Sequence, residues 1–79
     1  MMNDILIVSD MADLKRIRSL DPRFLGVEFL FASRDGKKLN GWTADNIFVT
    51  ARSIILMSEQ VQTAVKYQVA KGAKVCPVN

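Results

Sequence analysis

Two short runs limit the fold more than anything else in the chain. Ile5-Leu6-Ile7-Val8 and Ile47-Phe48-Val49 contain no polar residue at all. A strand with one wet face alternates apolar and polar side chains, so strands of this kind must be covered on both faces. In a chain of 79 residues that cover has to come from helices packed on a mainly parallel sheet.

The segments between the runs fit. Ser9 or Asp10 can cap a helix, with Asp13 favourable near its positive end. Met11, Leu14, Ile17 and Leu20 then form an inward stripe, and Asp21-Pro22 stops the helix because the residue before proline is driven out of the α region. Val27–Ser33 reads as the second strand, with Glu28 at a wet end or edge. Arg34-Asp35-Gly36-Lys37 is a turn signal, from which Lys37–Trp42 can return as a short strand. After Ile47–Thr50 a second helix is expected from Ser53, with Ser58-Glu59 as a competing start. Its stripe is Ile54, Met57, Val61, Val65 and Val69, widened by Ala64. Gly72 suits the C-terminal end of that helix, and Ala73–Val78 reads as an edge strand closed by Pro77.

The fold class expected is therefore α/β, one domain over residues 1–79. It has a small, mixed, mainly parallel sheet of three to five strands with two helices, in the order β-α-β-(β)-β-α-β. A ferredoxin-like α+β arrangement is the alternative. Ile7 and Phe48 are expected in the core.

Composition removes several function classes. There is no histidine and one cysteine, so neither a Ser-His nor a Cys-His pair can form within the chain. No disulfide framework or zinc cluster is available either. Cys76 reads as a small buried hydrophobe. Asp10 and Asp45 suit capping and turn formation better than a magnesium site, since they fall at opposite ends of their strands. No phosphate loop or dinucleotide-binding glycine motif is present. We expect no enzyme activity, no cofactor and no metal.

Two ligand sites remain as candidates. Thr50, Arg52 and Ser53 place two hydroxyls and a guanidinium at a helix start, an arrangement that can bind an anion or nucleotide. Arg34, Lys37 and Lys38 beside Trp42 form a candidate nucleic-acid surface, although the net charge is only +3.

Leu39-Asn40-Gly41 and Asp45-Asn46-Ile47-Phe48-Val49 resemble the approach to the Walker B strand of helicase- and terminase-like ATPases. The chain carries Thr50-Ala51 where those families place their acids, so the resemblance does not extend to hydrolysis.

A chain this small buries only a little over 60% of its unfolded surface, yet 49% of its residues are hydrophobic. Burial between subunits reconciles the two. Phe24, Leu25, Ile55 and Leu56 are the candidate contact residues, because they lie in a connector or off the inward stripe. The expected function is a small non-enzymatic interaction module, a regulator, inhibitor or assembly subunit of the kind compact phage or plasmid genomes encode. It would self-associate and bind a macromolecular partner, a protein rather than nucleic acid. The alternative is a nucleotide- or nucleic-acid-binding protein using the Arg52 junction and the basic turn. The apolar runs are too short to span a bilayer. Met-Met-Asn-Asp lacks the basic start of a secretory signal, and with a lone thiol this gives a cytoplasmic expectation.

Overall fold

A computed structural model of the protein describes residues 3–34, 39 and 41–78. The chain runs β1 (Asp4–Val8), α1 (Met11–Leu20), a 3₁₀ helix (Pro22–Gly26), β2 (Glu28–Phe31), β3 (Asn46–Thr50), α2 (Ala51–Leu56), α3 (Glu59–Ala70) and β4 (Lys74–Val78). The four strands form one sheet in the order β2-β1-β3-β4. Every pairing is parallel, with Leu6 opposite Phe29 and Phe48, and Phe48 opposite Cys76. This is the α/β arrangement that the apolar runs require, and the ferredoxin-like alternative, which needs antiparallel neighbours, does not apply to these strands. The turn at residues 35–37 and residues 37, 38 and 40 of the return strand expected over residues 37–42 lie outside the described residues, and Leu39, Gly41 and Trp42 within that range are not in a strand.

Both faces of β1 are covered, which is why its residues cannot alternate. Ile5 and Ile7 pack with Ile47, Val49, Val61 and Ala64 under α3, while Leu6 and Val8 pack with Leu14, Ile17 and Phe24 under α1 and the 3₁₀ helix. The step from β1 to β2 through α1 runs one way along the sheet. The steps from β2 to β3 and from β3 to β4 run the other way and lie on the opposite face, where Leu39, Ala44 and Val61 join the core. Reversing direction and changing face together keep every crossover the same hand. The consequence is uneven cover, because among the described residues only α1 and the 3₁₀ helix shield the first face. Phe48 and Val78, on that face, are only half-buried.

Local chemistry explains the helix ends. Asp10, not Ser9, caps α1 by accepting the Asp13 N–H at 2.8 Å. Asp21 sits in extended backbone at the end of α1 and accepts the Arg23 N–H at 3.1 Å, starting the 3₁₀ helix. The single helix expected from Ser53 is two helices. Thr50 caps α2 through the Ser53 N–H, and Ser58 caps α3 through the Val61 N–H, with Met57 in extended backbone between them. Ser58 also donates its N–H to Ala32 C=O at 2.8 Å and its hydroxyl to Arg34 C=O at 2.7 Å, tying the start of α3 to the end of β2. At the far end of α3, Gly72 takes a φ of 107°, a left-handed value that costs glycine no steric clash.

Three expected stripes shift. Along α1, Leu14 and Ile17 are buried, but Met11 and Leu20 are 48% and 65% exposed and Asp13 takes the inward place. Along α3 the inward residues are Val61, Ala64 and Gln68, while Val69 faces outward. Ile54, expected inward, is exposed on α2 together with Ile55 and Leu56. Among the described residues no helix is long and apolar enough to cross a membrane.

Candidate functional site

In an open parallel sheet, ligands collect at the carboxyl ends of strands where successive connections leave in opposite directions. Here that place lies between β1 and β3, because β1 connects towards β2 and β3 towards β4. The residues meeting there are Ser9 and Asp13 from the start of α1 and Thr50 and Ser53 from the start of α2.

They close on one another. The Thr50 hydroxyl donates to Asp13 Oδ2 at 2.6 Å, the Ser9 N–H donates to the same oxygen at 3.0 Å, and Arg16 donates to Oδ1 at 2.9 Å. Thr50 Oγ1 in turn accepts the Ser53 N–H at 3.0 Å, and the Ser53 hydroxyl donates to Thr50 C=O at 2.8 Å. Asp13, Thr50 and Ser53 are all fully buried. Burial is the largest single influence on the Asp13 carboxyl and pushes its pKa up. The Thr50 hydroxyl, the Ser9 N–H and Arg16 together outweigh it and hold the group below its ordinary value. The carboxylate is thus charged, buried and fully engaged, a clasp between the two strand ends.

That geometry decides what the junction can offer an anion. Of Thr50, Arg52 and Ser53, only Arg52 faces solvent. Both hydroxyls donate inward, and the Asp13 carboxylate stands behind them. Of the candidate nucleic-acid residues, Lys37 and Lys38 lie outside the described residues. Arg34 lies over the Phe31 ring at 5.8 Å, and Trp42 is half-buried against the core under α3. The structure therefore does not show Arg34 and Trp42 as one surface. Beside β1 and β2, Ser9, Asp10, Met11, Phe31, Ser33 and Arg34 line a shallow hollow of about 230 Å³.

A second buried polar group holds the crossover from β2 to β3. Gln68 on α3 is fully buried, its amide N–H groups donate to Leu39 C=O at 2.7 Å and to Trp42 C=O, and its carbonyl accepts the Ala44 N–H at 3.0 Å. One side chain thus satisfies three backbone groups, at Leu39, Trp42 and Ala44, none of which lies in a strand. Sequence spacing carried a signal for it, since Val61, Ala64, Val65 and Gln68 follow the i, i+3, i+4, i+7 pattern of one helix face. The pairing of Asp13 with Thr50 had no such signal, because it spans 37 residues.

The candidate contact residues divide. Phe24 is 2% exposed and belongs to the core, where its ring meets Phe48 edge-on at 5.1 Å. Leu25, Ile55 and Leu56 are 63%, 82% and 56% exposed. No family model, curated protein or solved structure matches the chain.

Proposed function

We propose that this chain is a small non-enzymatic interaction module that associates with itself through α2 and binds a macromolecular partner. The observation that carries this reading is the run Ile54-Ile55-Leu56, three consecutive apolar side chains exposed by 54%, 82% and 56%. Isolated exposed apolar residues are ordinary, but a contiguous group on one short helix favours burial against another surface. The burial of Asp13, Thr50 and Ser53 at the strand ends, where they are engaged with one another, supports the same reading. Light scattering at micromolar concentration is expected to give at least a dimer, and Ile55→Asp a monomer with an unchanged circular-dichroism spectrum. A wild-type chain that stays monomeric at high concentration would overturn the self-association.

A further inference from the structure

Polar bonds hold α2 at both ends with its apolar side outward. Thr50, ahead of the first turn, is fully buried and bonded to Asp13, and Ser58, just past the last, bonds to Ala32 and Arg34. Between them Ser53 is fully buried, with its N–H and its hydroxyl both on Thr50. With Ser53 inward, the helical period turns Ala51 and Ile55 outward, flanked by Ile54 and Leu56. The exposures agree: Ile55 is 82% exposed, Leu56 56% and Ile54 54%. Turning this side inward would break the bonds of Ser53, so α2 meets a partner already ordered.

Two charges bracket the apolar run. Arg52 stands three residues before Ile55, and Glu59 three residues after Leu56. Both are exposed, and among the described residues neither takes part in an ion pair. Read from its midpoint between Ile55 and Leu56, the run therefore carries a cation on one side and an anion at equal sequence distance on the other. Such a pattern is complementary to itself when one copy is turned end for end.

We infer that two copies of the chain pack α2 against α2 in antiparallel sense, about a two-fold axis near Ile55, so that Arg52 of each copy meets Glu59 of the other. This rests on the self-association proposed above and assigns its geometry and its pairing residues. A two-fold contact buries the same patch on both copies and closes, whereas α2 docked on some other surface leaves one α2 uncovered in every open assembly. Parallel pairing of the two helices would set Arg52 against Arg52 and Glu59 against Glu59. Exposed ion pairs add little affinity. The aliphatic side chains hold the copies together, and the charges choose the orientation.

The test is charge reversal in the full chain, with the dimer dissociation constant read by sedimentation equilibrium. Arg52→Glu and Glu59→Arg should each weaken the dimer about tenfold, because each turns both attractions into repulsions. Arg52→Ala leaves no like charges facing and should change it little. An equimolar mixture of the Arg52→Glu and Glu59→Arg chains should form a heterodimer close to wild type in affinity, and the double variant should again pair with itself. Salt at about 1 M, where the Debye length is about 3 Å, should close the gap between the single variants and wild type. Both positions are exposed, and unchanged circular-dichroism spectra confirm the fold. A wild-type dimer that Ile55→Asp breaks but neither reversal weakens would overturn this arrangement and leave self-association standing. Reversals that weaken the dimer with no recovery in the mixture would overturn it too. A wild-type chain that stays monomeric removes the self-association itself, so the two failures are distinct.

Discussion

The Thr50 hydroxyl lies 2.6 Å from Asp13 Oδ2, and both residues are fully buried. The contact joins the end of β3 to the first turn of α1, so it fixes the start of two helices against the sheet at once. Removing the acceptor strands the Ser9 N–H and the Thr50 hydroxyl in the interior. Asp13→Ala is expected to cost about 2–4 kcal/mol, since a buried donor left without its partner costs about 1–3 kcal/mol. Thr50→Val removes that donor and also the Oγ1 that accepts the Ser53 N–H at the start of α2, so it should cost about as much. In a double-mutant cycle measured by urea unfolding, the two effects should fall short of additivity. Strict additivity would mean that the bond contributes nothing.

The same carboxylate sets an acid limit. Its folded pKa lies below the ordinary 3.8, so the unfolded chain binds the proton first as pH falls. Its contribution is therefore complete above 3.8 and is lost as pH drops through the lower folded value. Unfolding free energies measured between neutral pH and strong acid should fall steeply only at the acid end. Asp13→Asn should flatten that fall. A slope remains from Asp21, which Arg23 holds below its ordinary value by hydrogen bonding.

Gln68 gives a sharper pH test. Gln68→Glu keeps an acceptor for the Ala44 N–H but sets a carboxylate against the carbonyl oxygens of Leu39 and Trp42. Burial and the lost donors raise the pKa of the introduced acid. The variant should be less stable than wild type at neutral pH and recover as pH falls towards 5, above the range in which Asp13 titrates. Hydrogen exchange should find the Ala44 amide deprotected at neutral pH in the variant. An Ala44 amide protected as in wild type would remove Gln68 as the clasp of the crossover.

How far the sequence could be read follows from the range of the interactions. Ile5–Val8 and Ile47–Val49 need nothing beyond their own residues to demand two covered faces, and the sheet has them. The break between α2 and α3 was half legible: Ser58-Glu59 read as a competing helix start and does cap α3, but Ile54, Met57, Val61 and Val65 keep a helical spacing straight through it. Ser58 ends that continuity by bonding to Ala32 and Arg34, 26 and 24 residues away, and no local pattern announces such a contact. The junction at Thr50, Arg52 and Ser53 was legible as a helix start. The use of its hydroxyls was not, since their acceptor is on α1.

Core position and residue size make different claims for Ile7 and Phe48. Ile7 is fully buried, and Ile7→Ala is expected to cost about 2–5 kcal/mol. Phe48 has the larger side chain but lies on the sparsely covered face, so Phe48→Ala should cost less than full burial implies, roughly 1–2 kcal/mol. A ranking in the opposite order, read from chemical unfolding, would mean that the face over β3 and β4 is better covered in solution than in the isolated chain. Repeating the Phe48→Ala measurement in the monomeric Ile55→Asp background separates the causes. If self-association through α2 supplies that cover, the extra cost disappears there.

The last prediction concerns phosphate at the junction of β3 and α2. Thr50 and Ser53 are committed to internal hydrogen bonds, and α2 has only six residues, so its dipole is small. Arg52, exposed and with Thr50 and Ser53 turned inward beside it, binds an anion no better than any surface guanidinium. Millimolar inorganic phosphate or a nucleotide should therefore leave the melting temperature within experimental error, and Arg52→Ala should melt with the wild type in either case. A bound ligand must raise the melting temperature by mass action, by an amount that grows with its concentration. If phosphate produces such a rise in the wild type and Arg52→Ala abolishes it, the clasp opens to an anion. The nucleotide-binding alternative would then displace the interaction module.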